Sequence, residues 1–107
     1  MKKTDAVEAL AALAQENRLD VFRLLVQAGP AGMSAGALST ALDIAPNTLT
    51  FHFDRLRKAG LVSVRRESTF LRYTANTEAL QELLQFLYAE CCTRNNAVEP
   101  NKIVCCK

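Results

Sequence analysis

Hydrophobic positions first recur along this chain at helical spacing. Val7, Leu10, Ala11, Leu13 and Ala14 lie three and four residues apart, and Asp5 followed by Glu8 reads as a helix start. A second helix is predicted from Asn17, with Leu19, Phe22, Leu25 and Val26 turned inward. It ends at Gly29-Pro30, where the backbone loses rigidity and a donor. Ser34 is placed to cap a short third helix through Leu38 and Leu42, and Pro46 suits the first turn of a fourth that stops at Ala59-Gly60. The period then changes to alternation. Leu61, Val62 and Val64 make one short strand and Phe70, Leu71 and Tyr73 another, joined as a hairpin through the polar stretch Arg65 to Thr69. Asn76 and Glu78 open a last helix, in which Leu80, Leu83, Leu84, Leu87, Tyr88 and Cys91 follow one face.

The predicted class is therefore mainly α with a small β-hairpin, in the order of a winged helix-turn-helix with five helices and a two-stranded wing. With 107 residues, half of them hydrophobic, there is material for one core. Residues 1–92 form the predicted DNA-binding and dimerisation domain. From Thr93 the composition turns polar, and 93–107 is expected to be a flexible cysteine-containing tail. No stretch approaches the roughly 18 consecutive apolar residues of a membrane span, and the Met-Lys-Lys start leads into an amphipathic pattern rather than a signal-peptide apolar block. A cytoplasmic location is expected.

Net charge is +2, too little to indicate nucleic acid by itself, but its distribution is uneven. Between Phe51 and Ala75, Arg55, Arg57, Lys58, Arg65, Arg66 and Arg72 stand against Asp54 and Glu67, a local balance of +4. At about 100° per residue, the fourth helix places Leu49, Phe53 and Leu56 on one side and Asn47, Phe51, Asp54 and Lys58 on the other. That outer face suits recognition of a duplex. Asn47, Thr48 and Thr50 are candidates for base edges, Arg55 and Lys58 for phosphates, and Arg65 or Arg66 for the flanking groove. Phe51 can either meet a thymine methyl or pack against the preceding helix, and packing is the expectation. His52 is read as structural or phosphate-contacting. With one histidine, no glycine-rich phosphate loop and no acid–base pair, an enzyme is not expected.

The run from Ala45 to Val62, with its Thr50-Phe51-His52-Phe53 core and Ala59-Gly60-Leu61-Val62 ending, resembles the recognition helix of ArsR/SmtB-type metalloregulatory repressors. Ala12-Leu13-Ala14, Asn17-Arg18-Leu19 and Leu24-Leu25 resemble that family's second-helix entry, and Phe70-Leu71-Arg72-Tyr73 its returning wing strand. The likeness spans Leu10 to Leu87. It implies a homodimer built from the first and last helices, setting two recognition helices on a pseudo-palindromic double-stranded operator, and the apolar seams of those helices independently call for a partner. Two departures stand out. The third helix reads Leu38-Ser39-Thr40-Ala41-Leu42, without the Cys-Val-Cys type arsenic motif, and the wing turn Glu67-Ser68-Thr69 lacks the usual glycine.

All four cysteines, Cys91, Cys92, Cys105 and Cys106, fall in the last seventeen residues as two adjacent pairs. Clustered thiolates select soft ions and metalloids. The Cys91-Cys92 pair resembles the family subset whose arsenite site lies near the C-terminus. That resemblance implies As(III) or Sb(III) as inducer, held by Cys91, Cys92 and either Cys105 or Cys106, with no permanent cofactor. Adjacent helical residues point about 100° apart, so binding at both would loosen or re-form the last turn. The twelve residues between Cys92 and Cys105 can extend to roughly 40 Å, so either subunit can supply the third thiolate. A methylated arsenical, zinc or cadmium, and thiol–disulfide sensing remain open alternatives.

Overall fold

The computed structural model describes residues 1–89. All four cysteines and the expected boundary between 92 and 93 lie outside them. In chain order the elements are α1 (Lys3–Leu13), α2 (Glu16–Ala28), a 3-10 turn (Gly29–Ala31), β1 (Met33–Ser34), α3 (Ala35–Leu42), α4 (Pro46–Lys58), β2 (Val62–Glu67), β3 (Phe70–Ala75) and α5 (Thr77–Tyr88).

Local signals placed most boundaries. Ser34 Oγ accepts from the Ala37 amide at 3.2 Å and caps α3, and Asn76 Oδ1 does the same for α5 from Ala79. Pro46 occupies the first turn of α4, where its missing N–H costs nothing, and Gly60 follows the helix at φ 80°. The helix-turn-helix corner is the three residues Asp43 to Ala45. Asp43 takes the left-handed conformation, φ 54°, and Ser39 Oγ donates to Ile44 O at 2.6 Å.

Three expectations need correction. The first helix begins at Lys3 rather than at Asp5, without a side-chain cap, and Asp5 instead places its charge in the first turn, where the helix dipole favours it. The sheet has three strands in the order β1-β3-β2, because Met33 and Ser34 pair antiparallel with Tyr73 and Arg72. Two residues are too few to show any alternation in sequence. The hairpin is also longer than its apolar pattern: Arg65, Arg66 and Glu67 are ladder residues, paired with Arg72, Leu71 and Phe70. Only Ser68 and Thr69 are left for the turn. Ser68 replaces the expected glycine at φ 52°, alone in being positive there, which excludes the doubly positive type I′ turn.

The core gathers Val21, Phe22 and Leu25 of α2, Leu38 of α3, Leu49, Phe53 and Leu56 of α4, Leu61 and Val62 at the wing base, and Leu83 of α5. From α1 it takes Ala6, Ala9 and Ala12. The larger Val7 and Leu10 face outward, as do Leu84 and Leu87 of α5 and, against the expectation that it turns inward, Leu19 of α2. Small alanines let α1 lie close against α2, α4 and α5, which leaves the bulkier stripe unburied within one chain.

Candidate nucleic-acid interface

The fourth helix presents the face its sequence predicts. Leu49, His52, Phe53 and Leu56 are buried, while Asn47, Thr48, Thr50, Phe51, Arg55 and Lys58 are exposed. Its orientation relative to the wing is set by a ring stack: Phe53 and Tyr73 lie with centroids 3.7 Å apart and planes 9° from parallel. A second tie comes from Asn76. Besides capping α5, its Nδ2 donates to Gly60 O at 2.9 Å and its backbone N–H to Leu61 O at 2.8 Å. Arg72 Nη1 donates to Ala31 O at 3.3 Å, anchoring the wing to the 3-10 turn that follows α2. Helix, wing and final helix are thus held as one unit. Sequence reasoning placed Tyr73 in its strand, Asn76 at its cap and Arg72 in its strand and the basic cluster; nothing local to them signals the longer reach.

The polar groups near the N-terminal half of α4 are partly engaged by its own backbone. Asn47 Oδ1 accepts from the Thr48 amide at 3.0 Å, and Thr50 Oγ1 donates to Pro46 O at 3.0 Å. Asn47 keeps its amide donors and Thr50 its lone pairs, which base edges can use. Phe51 overturns the packing expectation. It is 57% exposed, on the centre of the outer face, with its ring centroid 5.8 Å from that of His52 and the two planes at 61°. The inner face of α4 is already filled, so a residue 200° from Leu49 cannot reach the core.

The positive cluster is partly neutralised within itself. Asp54 pairs with Arg57 at 2.7 Å and Lys58 at 3.1 Å, and these two cations hold its carboxyl below the usual range. On the wing, Arg65 and Arg72 stand directly opposite one another, a like-charge pair that would weaken the ladder. Glu67 relieves it by accepting from Arg72 with one oxygen and Arg65 with the other, each at 2.8 Å, and its pKa is lowered for that reason. Such exposed pairs are worth little, so phosphates can exchange for the carboxylates at small cost. Among the described residues, Arg55 and Arg66 have no carboxylate partner.

His52 is 5% exposed, and its Nδ1 has no hydrogen-bond partner. Burial, and then the charge of Arg18, hold its pKa below 6.5. Of the two roles open to it, the structural one fits this burial. Arg18, noted in the sequence only as part of the second-helix entry, is itself 9% exposed and donates from Nε to Ala12 O at 2.6 Å, closing the end of α1. Buried Arg18 therefore stands between the first helix and the buried side of the fourth.

Among the described residues no cluster of three His, Cys, Asp or Glu is placed to hold a metal ion, and no helix is long and apolar enough to cross a membrane. The four cysteines lie beyond them, and their thiolates are soft donors.

A helix-turn-helix domain family matches residues 13–65. The transcriptional activator HlyU of Vibrio cholerae is 31% identical over 90 residues, covering 84% of this chain and 81% of that protein. Its solved structure superposes with a TM-score of 0.65 at 38% identity, over 82% of this chain and 98% of that one. A structure of reduced HlyU gives 0.61 and 35% over 80% and 90%. An ArsR-like transcriptional regulator from Rhodococcus sp. RHA1 superposes with a TM-score of 0.70 at 27% identity, over 78% and 76%. A Mycobacterium bovis protein, described as the homodimeric winged helix-turn-helix DNA-binding domain of a possible ArsR-family transcriptional regulator, gives 0.64 and 26% over 86% and 88%.

Proposed function

This chain belongs to the ArsR-like winged-helix transcriptional regulators, and from that premise we propose that it is a homodimeric repressor, released from operator DNA when As(III) or Sb(III) binds its C-terminal thiolates. The observation that carries the DNA-binding part is the outer face of α4. Asn47, Thr48, Thr50 and Phe51 stand exposed beside Arg55 and Lys58, with Arg65 and Arg66 on a wing locked to the same helix. Bases are read by the first group, phosphates by the second.

Dimerisation is supported by the apolar stripe left on α1 and α5. Val7 is 59% and Leu87 54% exposed, with Leu10 and Leu84 beside them. A small domain gains by covering such a stripe with its twin, and the twofold axis spaces the two copies of α4. The Mycobacterium bovis relative is described as a homodimer.

The inducer part rests on the donor chemistry of Cys91, Cys92, Cys105 and Cys106 and on Cys91 and Cys92 following closely on α5 in the sequence. A ligand that favours a thiolate-clamped end of the dimer helix over the arrangement that spans two major grooves lowers DNA affinity by its differential affinity for the two states. A second reading has its own support: a structure of HlyU is described by its reduced state. Oxidation of two of the same thiols to a disulfide, by way of a sulfenic acid and with peroxide reduced to water, would then do the switching.

Fluorescence anisotropy on a duplex from the DNA upstream of its own coding region tests both parts. Expected is salt-dependent binding that falls when Arg55 is replaced by Ala, and loss of affinity on adding arsenite that Cys91→Ser and Cys92→Ser abolish. Salt-independent or absent binding overturns the DNA reading. Affinity indifferent to arsenite but lost with peroxide, zinc, cadmium or a methylated arsenical overturns As(III) in favour of that effector.

A further inference from the structure

Phe51 is an apolar side chain in a place where folding has no use for it. Its neighbours on the surface of α4, one turn before and one turn after, are Asn47, Thr48, Asp54 and Arg55, all polar or charged. The core beneath is complete without it, since Leu49, Phe53 and Leu56 fill the inner face. Nor does it join the stripe of Val7, Leu10, Leu84 and Leu87, which lies on α1 and α5. The ring of its neighbour His52 stands 5.8 Å away at 61° and leaves Phe51 57% exposed.

Whatever covers Phe51 must also satisfy the cations around it. Arg55 and Lys58 lie on the same helix face, and Arg66 is exposed on the adjoining wing. The partner is therefore a polyanion that carries an apolar group at the depth of the helix axis. Within the major groove of a duplex only one such group exists, the C5 methyl of thymine. We propose that Phe51 is a specificity-determining residue that selects a 5-methylpyrimidine at one position of each half-site, while Asn47 and Thr48 read the neighbouring bases by hydrogen bonds. This rests on α4 being the recognition helix, as proposed above.

The test begins with duplexes selected by the wild-type protein from a randomised pool. Each thymine of a selected duplex is replaced in turn by deoxyuridine, which removes the methyl and leaves every hydrogen-bonding group in place. At one position per half-site the loss is expected to be roughly fourfold, the worth of one buried methyl group, and about fifteenfold when both half-sites are changed. Phe51→Ala binds the thymine and uracil duplexes equally. Phe51→Leu keeps part of the preference, and cytosine methylated at C5 in that position binds better than plain cytosine.

A wild-type protein indifferent to every thymine-to-uracil change overturns the proposal while leaving DNA binding intact. So does Phe51→Ala retaining the methyl preference, or changing the oligomeric state in the absence of DNA, which would make Phe51 a protein contact. If no duplex is enriched and no salt-dependent binding is seen, both this proposal and the DNA reading beneath it fall. Because Phe51 is exposed, the substitutions leave the core untouched, and unchanged thermal unfolding of the variants verifies that.

Discussion

Alanine at Gly32 should destabilise the chain far more than alanine at Gly29, and the two glycines serve as controls for one another. Gly29 sits at φ 72°, ψ −158° and Gly32 at φ 67°, ψ −166°, so the two share one glycine-specific backbone conformation. A side chain there costs about 1–3 kcal/mol in strain, the same at both sites. Their surroundings differ. A Cβ at Gly29 meets nothing within 4 Å, whereas at Gly32 it overlaps Tyr73 O and stands 2.6 Å from Thr74 Cγ2 and 3.1 Å from Tyr73 C. Thr74 can turn away, but Tyr73 O belongs to the backbone of β3 at the residue paired with Met33. Relief requires β1 to withdraw from β3, an overpacking cost of about 1–3 kcal/mol added to the strain. A difference near 2 kcal/mol corresponds to a Tm lower by roughly 8–16 °C for Gly32→Ala than for Gly29→Ala. Thermal and urea unfolding of both variants at one protein concentration measures it, the concentration being held because the proposed dimerisation would contribute to stability. Equal destabilisation of the two would refute the close approach of Gly32 to the wing.

Other outcomes follow from the buried polar pair and from the exposed stripe. The folded-state pKa of His52 lies below 6.5, so the unfolded chain takes up that proton first. The stability it contributes is whole above pH 6.5 and is lost as pH falls through that value toward the folded one. His52→Leu should flatten this part of the stability profile, and an unaltered slope assigns it to another group. Arg18→Met leaves Ala12 O without its donor and should destabilise by about 1–3 kcal/mol in urea unfolding. It should also let the His52 pKa rise part of the way back, seen by NMR titration of the ring; a fixed pKa would contradict the repulsion between them. Leu84→Asp with Leu87→Asp should convert the proposed dimer to a folded monomer in sedimentation, and a persistent dimer would place the interface elsewhere.

Much of the architecture was legible residue by residue because its causes are local. Ser34, Asn76, Pro46 and Gly60 act on backbone groups within about four positions, which is the range over which capping and helix termination operate. The division of α4 into a buried side and a polar, basic side likewise follows from 3.6-residue periodicity within one element. The elements and the face of the candidate site were therefore written into short stretches of the chain.

Tertiary structure decided what depends on distant partners. Either apolar stripe of α1 satisfies the helical period, and close packing against α2, α4 and α5 chose the alanines over Val7 and Leu10. The pairing of Met33 with Tyr73, the reach of Arg72 across to Ala31, and the burial of Arg18 beside His52 join residues that no local pattern connects. Phe51 is the clearest instance. Its hydrophobicity favours burial, but a helix has only one side to give the core, and that side was already taken by Leu49, His52, Phe53 and Leu56.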